Sequence, residues 1–172
     1  MQATEAVRDE IDIKLHPKHL ADAKGGLQKI VSEQLMTYSA KLKGVPVKAI
    51  RITLLEKNGL VYEDMPAVHV RAAVDLLVFK PEVGEFLEAV INKVTPSHIG
   101  LLVNQHFSAS IPKDNLPEEY EHRPSQDEFV YQDSTERSLS PGTCVQFKIQ
   151  ALETSSHGVI HILGDLRPAG TG

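Results

Sequence analysis

The chain has 172 residues, a formal net charge of −5 and 41 % apolar residues, enough for the core of one medium domain or two small ones. Aromatic residues make up only 5 % and Trp is absent, which weakens any function built on aromatic stacking. A single cysteine, Cys144, excludes an internal disulfide and a thiolate zinc cluster. No secretory signal and no apolar run of about 20 residues is recognisable, so we expect a cytosolic or nuclear protein without a membrane partner.

The charge is spread unevenly along the chain. Residues 1–80 carry 12 Lys and Arg against 10 Asp and Glu, a balance of +2, whereas residues 81–172 carry 6 against 13, a balance of −7. Proteins that bind nucleic acid mainly through its phosphates need an excess of Lys and Arg. The second half lacks this excess, so it predicts weak and salt-sensitive nucleic-acid binding.

The first elements are a strand and a helix. Apolar residues alternate with charged ones over Ile11–Leu15, which predicts a strand that Pro17 ends. Apolar residues then recur at three- and four-residue steps over Leu27–Leu42, which predicts an amphipathic helix that Gly44 and Pro46 stop.

Extended segments follow this helix. Val47–Glu56 is predicted as a strand of imperfect phase, and Asn58-Gly59 is a strong hairpin signal because both residues tolerate positive φ. Leu60–Tyr62 begins the returning strand, and Val68–Phe79 is a long extended stretch. For residues 1–80 the order predicts an α+β domain with one helix on an antiparallel sheet.

Beyond Pro81 and Gly84 the pattern is all β, and residues 81–172 predict an OB-type barrel of five strands. A polar insertion at about 113–140 separates the third strand from the fourth. Lys113–Ser140 holds 8 acidic and 3 basic residues and is interpreted either as a solvated loop or as a docking surface for a basic partner. Within it, Phe129–Tyr131 is either a small strand or an anchor. The five predicted barrel strands are Phe86–Val94, Ile99–Val103, Phe107–Ile111, Val145–Ala151 and Val159–Leu163.

No pattern of catalysis or metal binding stands out. His157 and His161 are four residues apart but flank a predicted strand, where they would not share a helix face, and no HExxH motif is present. Cys144 lacks a flanking group that would activate a thiol, and no Gly-rich phosphate loop occurs. We therefore predict no catalytic residue, no cofactor site and no metal site.

Two segments of the second half resemble an S1-type OB domain. The segment PEVGEFLEAVINKVTPSHIGLLVNQHFSASIP, residues 81–112, has Gly84, Gly100, Ile111 and Pro112 where such domains place them, and SPGTCVQFKIQALETSSHGVIHILGDL resembles the fourth and fifth strands. In the first half, LHP, HLADA, LKGVPVKAIRI and PAVHVRAAVDLLVFKPEVG follow in the same order as in one family. Together they resemble the large stalk subunits of archaeal and eukaryotic RNA polymerases. HIGLLVNQHFSASIP and HILGDL are most similar to the RNA polymerase I member.

The resemblance implies a fold and a role. It implies an N-terminal tip domain followed by an S1 barrel, with no active site of its own. It implies a subunit of DNA-directed RNA polymerase I in the nucleus and nucleolus that docks on the core subunits, pairs with a small stalk partner, helps to recruit the initiation factor and lies near nascent RNA. Two alternatives stay open, an RNA polymerase III stalk subunit and a free-standing S1-type RNA-binding protein.

Two groups of residues are candidates for contact with these partners. The turn between the predicted hairpin strands is either a plain hairpin end or, as the resemblance implies, the tip that meets the polymerase core. Residues on or near the second and third barrel strands are the candidates for RNA contact, although barrel core is the favoured position for the aromatic one. The tip candidates are Asn58, Gly59, Glu63, Asp64 and Pro66, and the RNA candidates are Lys93, His98, His106 and Phe107.

Overall fold

The computed structural model describes residues 2–56, 58–61, 67–123, 128–131 and 134–168. These residues form two compact units. One is Thr4–Lys80, and in the other Gln2 and Ala3 join the chain from Pro81 onward.

The N-terminal unit is an antiparallel sheet carrying one helix. The sheet has the order β1, β4, β2, and the short β3 pairs with the start of β4. β1 and β4 run in register along their whole length, from Thr4 opposite Phe79 to Leu15 opposite Val68. A 3₁₀ segment, Pro17–Asp22, leads into the helix. The elements are β1 (Thr4–Leu15), α1 (Ala23–Glu33), β2 (Val45–Leu54), β3 (Leu60–Val61) and β4 (Val68–Phe79).

The core of this unit lies between α1 and one face of the sheet. Alternate residues of β4 point towards the helix and are buried, and Leu27 and Val31 of α1 pack against them. Gly26 allows this close approach, because a Cβ there would lie 2.7 Å from His19 Cβ and 2.8 Å from Leu15 Cδ1. The buried cluster is Ile13, Leu27, Val31, Ala72, Val74, Leu76 and Val78.

The helix is shorter than the sequence predicted. α1 ends at Glu33 rather than at Leu42, and the chain then turns through positive φ at Met36 (63°) and Lys43 (51°). Leu35 and Leu42 still pack against the core from these turns. The apolar spacing extends beyond the end of the helix because Leu35 and Leu42, in the turns that follow it, still contact the core. Contact with the core does not require a helical backbone, so the spacing predicted too long a helix.

β1 is longer than predicted, because it begins at Thr4 rather than at Ile11. Its first half is charged and has weak strand propensity. Cross-strand ion pairs support it, with Lys80 Nζ 2.7 Å from Glu5 Oε2 and Arg71 Nη2 3.4 Å from Glu10 Oε2.

The second unit contains a closed five-stranded barrel in the order β11, β12, β7, β6, β5, with β5 pairing back to β11. β12 and β7 are parallel, whereas the other neighbours are antiparallel. Val145, Phe147 and Ile149 of β11 point inward and are buried, as their alternation with polar residues predicted. The five-stranded OB barrel is confirmed. Its strands are β5 (Phe86–Val94), β6 (His98–Val103), β7 (Phe107–Pro112), β11 (Cys144–Thr154) and β12 (Ile160–Asp165).

The insertion between β7 and β11 has structure of its own. It begins with a 3₁₀ segment, Lys113–Asn115, and continues as a three-stranded antiparallel sheet in the order β10, β9, β8. Phe129 is fully buried and Leu139 is 4 % exposed, so the insertion contributes apolar residues to a core. Of these strands the sequence indicated only the central one, at Phe129–Tyr131, and only as one of two interpretations. The three strands are β8 (Tyr120–Arg123), β9 (Glu128–Tyr131) and β10 (Ser134–Leu139).

Gln2 is bound to the barrel unit by four hydrogen bonds. Its side-chain amide donates to Glu88 Oε2 (2.9 Å) and accepts from Glu88 N–H (2.7 Å). Its backbone N–H donates to Asn104 Oδ1 and its carbonyl accepts from Asn104 Nδ2, both at 3.1 Å. A residue from the start of the chain therefore covers part of β5 and the turn after β6.

Candidate functional site

One end of the barrel brings two of the predicted RNA contacts together. Lys93 of β5 lies opposite Gly100 of β6, and His98 is two residues earlier on the same face of β6. Both Lys93 and His98 are exposed. Gly100 has no side chain, and the space over it is taken by Asn92, whose Oδ1 would lie 2.8 Å from a Cβ at this position.

The turn before β6 holds His98 in place. His98 Nδ1 lies 3.0 Å from both Thr95 Oγ1 and Ser97 Oγ. Thr95 Oγ1 donates to the His98 carbonyl (2.7 Å) and accepts from the His98 N–H (3.1 Å). The imidazole therefore belongs to a polar turn whose hydroxyl groups are already engaged with it.

The other two candidates do not join this cluster. His106 is exposed in the turn between β6 and β7, at the far end of a six-residue strand, which is roughly 17 Å from His98 along β6. Phe107 is only 5 % exposed, so its ring is part of the barrel core and offers no stacking surface. The core position favoured for Phe107 is the one that the structure has.

The outer face between these ends carries small polar groups. Ser108 and Ser110 of β7 alternate with buried residues, and His161 of β12 lies beside them. His161 Nε2 is 2.9 Å from Ser110 Oγ. β6, β7 and β12 present no exposed aromatic ring on this face, so the stacking platform typical of OB barrels that bind single strands is lacking on these three strands. The alternation of β7 would have revealed Ser110, but nothing in the sequence pairs it with His161.

Arg167 is engaged by a carboxylate of the same chain. Its Nε and Nη2 donate to Asp165 Oδ1 (3.0 Å) and Oδ2 (2.7 Å), a two-pronged contact. The hydrogen bond from Arg167 is the main cause that holds the pKa of Asp165 below its ordinary value. Because its hydrogen-bond donors are bound to Asp165, Arg167 adds little to any phosphate-binding surface.

The predicted tip loop is described only in part. Asn58 and Gly59 precede β3, whereas Glu63, Asp64 and Pro66 lie outside the described residues. Leu60 and Val61 of β3 are 58 % and 68 % exposed. The sequence analysis assigned these two residues only to a returning strand, so it missed an exposed apolar pair directly beside the candidate loop.

Within the ranges given above, no group of three or more His, Cys, Asp or Glu residues is arranged to hold a metal ion. No helix in that part of the chain is long and apolar enough to cross a membrane.

Comparison with known proteins points to one family. A family model described as "RPA43 OB domain in RNA Pol I" matches residues 81–157. Mouse and human proteins named "DNA-directed RNA polymerase I subunit RPA43" are each 32 % identical over 154 residues, which is 90 % of this chain but 43 % and 42 % of theirs. The Schizosaccharomyces pombe protein of the same name is 29 % identical over 167 residues, with 91 % of this chain and 92 % of its own length covered. The chain thus spans less than half the length of the animal relatives and nearly the whole of the yeast one.

Proposed function

We propose that the chain is a non-catalytic stalk subunit of DNA-directed RNA polymerase I, acting in rRNA gene transcription, because a family model of the RPA43 OB domain matches residues 81–157 and the similar proteins are named as polymerase I subunits. The observation that carries this proposal is the extent of the similarity. It covers 90 % of the chain and therefore reaches into both compact units, not only into the barrel. The names of the relatives favour polymerase I over the polymerase III alternative.

In this proposal the two units have different tasks. Thr4–Lys80 is the tip domain that docks on the polymerase core, and the barrel is of the S1 type. The exposed apolar pair Leu60 and Val61, next to Asn58 and Gly59, supports core docking because such surface is costly to leave in water. A small stalk partner and the polymerase I initiation factor are the other proposed partners, and the nucleus, with the nucleolus in particular, is the proposed location.

Affinity purification of the tagged chain from its own cells at moderate salt, followed by mass spectrometry, tests the proposal. We expect the largest polymerase I subunits in near-equal amounts with the chain. Recovery of polymerase III subunits would assign the chain to polymerase III instead of polymerase I, and the proposed stalk architecture would still apply. Recovery of RNA with processing or ribosomal factors, and without polymerase, would refute the stalk role and favour the free-standing RNA-binding protein.

Contact with nascent RNA is a second, weaker candidate function. Its support is the exposed pair of Lys93 and His98 across Gly100, at one barrel end. The negative balance of the second half, the missing stacking platform and the engagement of Arg167 by Asp165 all limit its strength. Neighbouring subunits would therefore have to supply most of the affinity for RNA.

RNA binding by the purified chain can be tested with matched variants. We expect Lys93→Ala to weaken binding of a single-stranded oligonucleotide about two- to fivefold and to lower the slope of log affinity against log salt by about one unit. Lys29→Ala, which removes an exposed lysine of the N-terminal unit, serves as the control and should leave affinity unchanged. If both variants weakened binding equally, the pair of Lys93 and His98 would no longer be a candidate RNA contact.

A further inference from the structure

A groove of about 740 Å³ lies in the N-terminal unit between α1 and β2. Its floor is apolar, formed by Leu27 and Leu35 on the helix side and by Ile52 and Leu54 on the strand side. Ile50 and Leu54 are 57 % and 47 % exposed although both belong to a strand. The groove therefore exposes apolar side chains next to polar ones, on the same unit as Leu60 and Val61.

The strand that borders the groove has an open edge. β2 pairs with β4 on one side, and the sheet order among the described residues places no strand on its other side. Only its start is engaged there, where the Met36 N–H donates to the Pro46 carbonyl (2.8 Å), so the open part begins at Val47. Its register shifts at Val47 and at Ile50, and the second shift turns the Ile50 side chain outward. Unpaired backbone groups of an edge strand are a template for another strand, and such an edge is normally protected.

Basic residues flank this edge, on the face of β2 away from α1. Lys48 and Arg51 lie opposite Leu77 and Asp75 of β4, whereas Ala49 and Ile52 lie on the α1 side. Lys24, at the start of α1, lines the rim of the groove. None of these three cations forms an ion pair within the described part of the chain, and Asp75 contacts Arg8 instead (4.0 Å).

Some cations elsewhere on this unit are paired with carboxylates of the same unit. Arg71 lies 3.4, 3.9 and 3.5 Å from carboxylate oxygens of Glu10, Asp12 and Glu56, and Lys80 contacts Glu5. The groove lining, by contrast, contains no Asp or Glu. Lys24, Lys48 and Arg51 are thus the charged residues of the groove lining, and all three are cations.

We propose that the groove binds an extended acidic segment of another polymerase subunit, which adds to β2 as a strand. This inference rests on the proposed function for the identity of its partner. Side chains of a strand alternate between its two faces. One face of the added strand would lie over the floor between α1 and β2, and the other would lie beside Lys48 and Arg51. The segment should therefore alternate apolar residues with Asp or Glu.

An RNA strand fits this surface less well. No aromatic side chain lines the groove, so bases would find no ring to stack on. A polypeptide, by contrast, can use both the apolar floor and the backbone groups of β2, and β2 is ten residues long, about 33 Å of strand.

Site-specific photo-crosslinking tests the proposal on the full chain in its own cells. A photoreactive phenylalanine analogue such as p-benzoylphenylalanine replaces Ile50 in the tagged chain, and mass spectrometry identifies the adduct after irradiation. The same analogue at Lys14, exposed on the face of β1 away from α1, is the control. We expect position 50, and not position 14, to yield an adduct with a polymerase peptide that alternates apolar and acidic residues.

Charge reversal sharpens the test. Lys48→Glu with Arg51→Glu should reduce the adduct at position 50 at least tenfold, because two attractive contacts become repulsive. Lys14→Glu with Lys29→Glu makes the same change in net charge at exposed positions outside the groove and should leave the adduct unchanged. Thermal unfolding of both variants checks that the fold is kept, since surface substitutions usually change stability by less than about 0.5 kcal/mol.

The outcomes separate this proposal from the stalk role. Crosslinking at position 50 to RNA, to a second copy of the chain, or to a peptide without an acidic excess would overturn the groove proposal. So would the absence of an adduct from chains that still co-purify with polymerase I. Failure to recover polymerase I with the unsubstituted chain would overturn the stalk role instead, whatever is found at position 50.

Discussion

The barrel of the second unit and the sheet of the N-terminal unit differ in whether their edge strands are paired. In the second unit β5 pairs with β11 and closes the barrel, so the backbone hydrogen-bonding groups of the ring are used internally. In the N-terminal unit the sheet stays open, and β2 has a partner on one side only. A closed barrel can recognise a partner only through side chains and loops, whereas an open sheet can also offer its backbone.

Charge follows the same division. The barrel half has a balance of −7, and Arg167 at the end of β12 is bound by Asp165. The N-terminal half has a balance of +2, and the cations that flank its open edge have no ion pair among the described residues. The surface suited to acidic partners is therefore on the open sheet, although the barrel is the unit whose fold class is associated with nucleic-acid binding.

The largest expected effect concerns the barrel core. Phe147 is fully buried on β11, and Phe147→Ala should lower the free energy of unfolding of the barrel by about 3–5 kcal/mol. Val74→Ala, at a fully buried position of the open sheet, removes fewer atoms and is the comparison. Urea unfolding followed by NMR signals of each unit measures both. If Phe147→Ala lowered the midpoint of the N-terminal unit as much as that of the barrel, the two cores would not be independent.

A smaller effect is expected from Gly164 of β12. A Cβ at this position would lie 2.5 Å from Phe147 Cδ2 and 2.9 Å from Ile111 Cγ1. Gly164→Ala should therefore cost about 1–3 kcal/mol through overpacking of the barrel interior. Gly26→Ala is the matched substitution in the other unit, and thermal melting of both variants compares how far each core yields. If Gly164→Ala left the melting temperature unchanged, the barrel interior would accommodate an added methyl group at this position without strain, contrary to the close distances in the structure.

Gln2→Ala is expected to weaken the barrel by about 1 kcal/mol, because it removes the two hydrogen bonds between the Gln2 amide and Glu88. Amide exchange of β5 measures the effect, with faster exchange expected around Glu88. Lys18→Ala, an exposed substitution in the N-terminal unit, is the control. Equal changes in the two variants would show that Gln2 does not hold the barrel.

The smallest effect is a titration. The pKa of Asp165 is lowered in the folded chain, so this group contributes stability above the pKa of its unfolded form and loses that contribution as the pH falls through its folded pKa. Arg167→Ala should raise the pKa of Asp165 towards its ordinary value, and carboxyl NMR shifts against pH measure it. The same pKa in both proteins would assign the shift to Lys148, the other cation near Asp165.

How far the sequence predicts this structure depends on where the stabilising contacts lie. The barrel strands follow from local alternation, as at Val145–Ala151, because each strand has one buried face. The early part of β1 could not be found this way, since it is supported by ion pairs with Arg71 of β4 and with Lys80 just after β4, which lie 61 and 75 residues further along the chain than their partners. The end of α1 was missed for a different reason, because Leu35 and Leu42 pack against the core, partly buried, without being helical.

The candidate sites show the same limit. Lys93 and His98 were predicted from their positions on neighbouring strands, and they do share one barrel end. The edge of β2 was not predicted, because sequence alternation identifies the faces of a strand but not whether a neighbouring strand covers its edge. Ile50 illustrates this, since its exposure depends on a register shift between β2 and β4.

The hydrogen bonds of Gln2 also bear on the order in which the chain folds during synthesis. Its partners Glu88 and Asn104 lie 86 and 102 residues further on, so Gln2 leaves the ribosome long before either of them. All residues of the N-terminal unit, Thr4–Lys80, are synthesised before Glu88 and Asn104, so this unit can fold first. Gln2 can form its hydrogen bonds only after the barrel residues have been synthesised. A fragment that begins at Pro81 would lack the hydrogen bonds of Gln2. Residues 2–3 would have to be restored to such a fragment, for example by circular permutation.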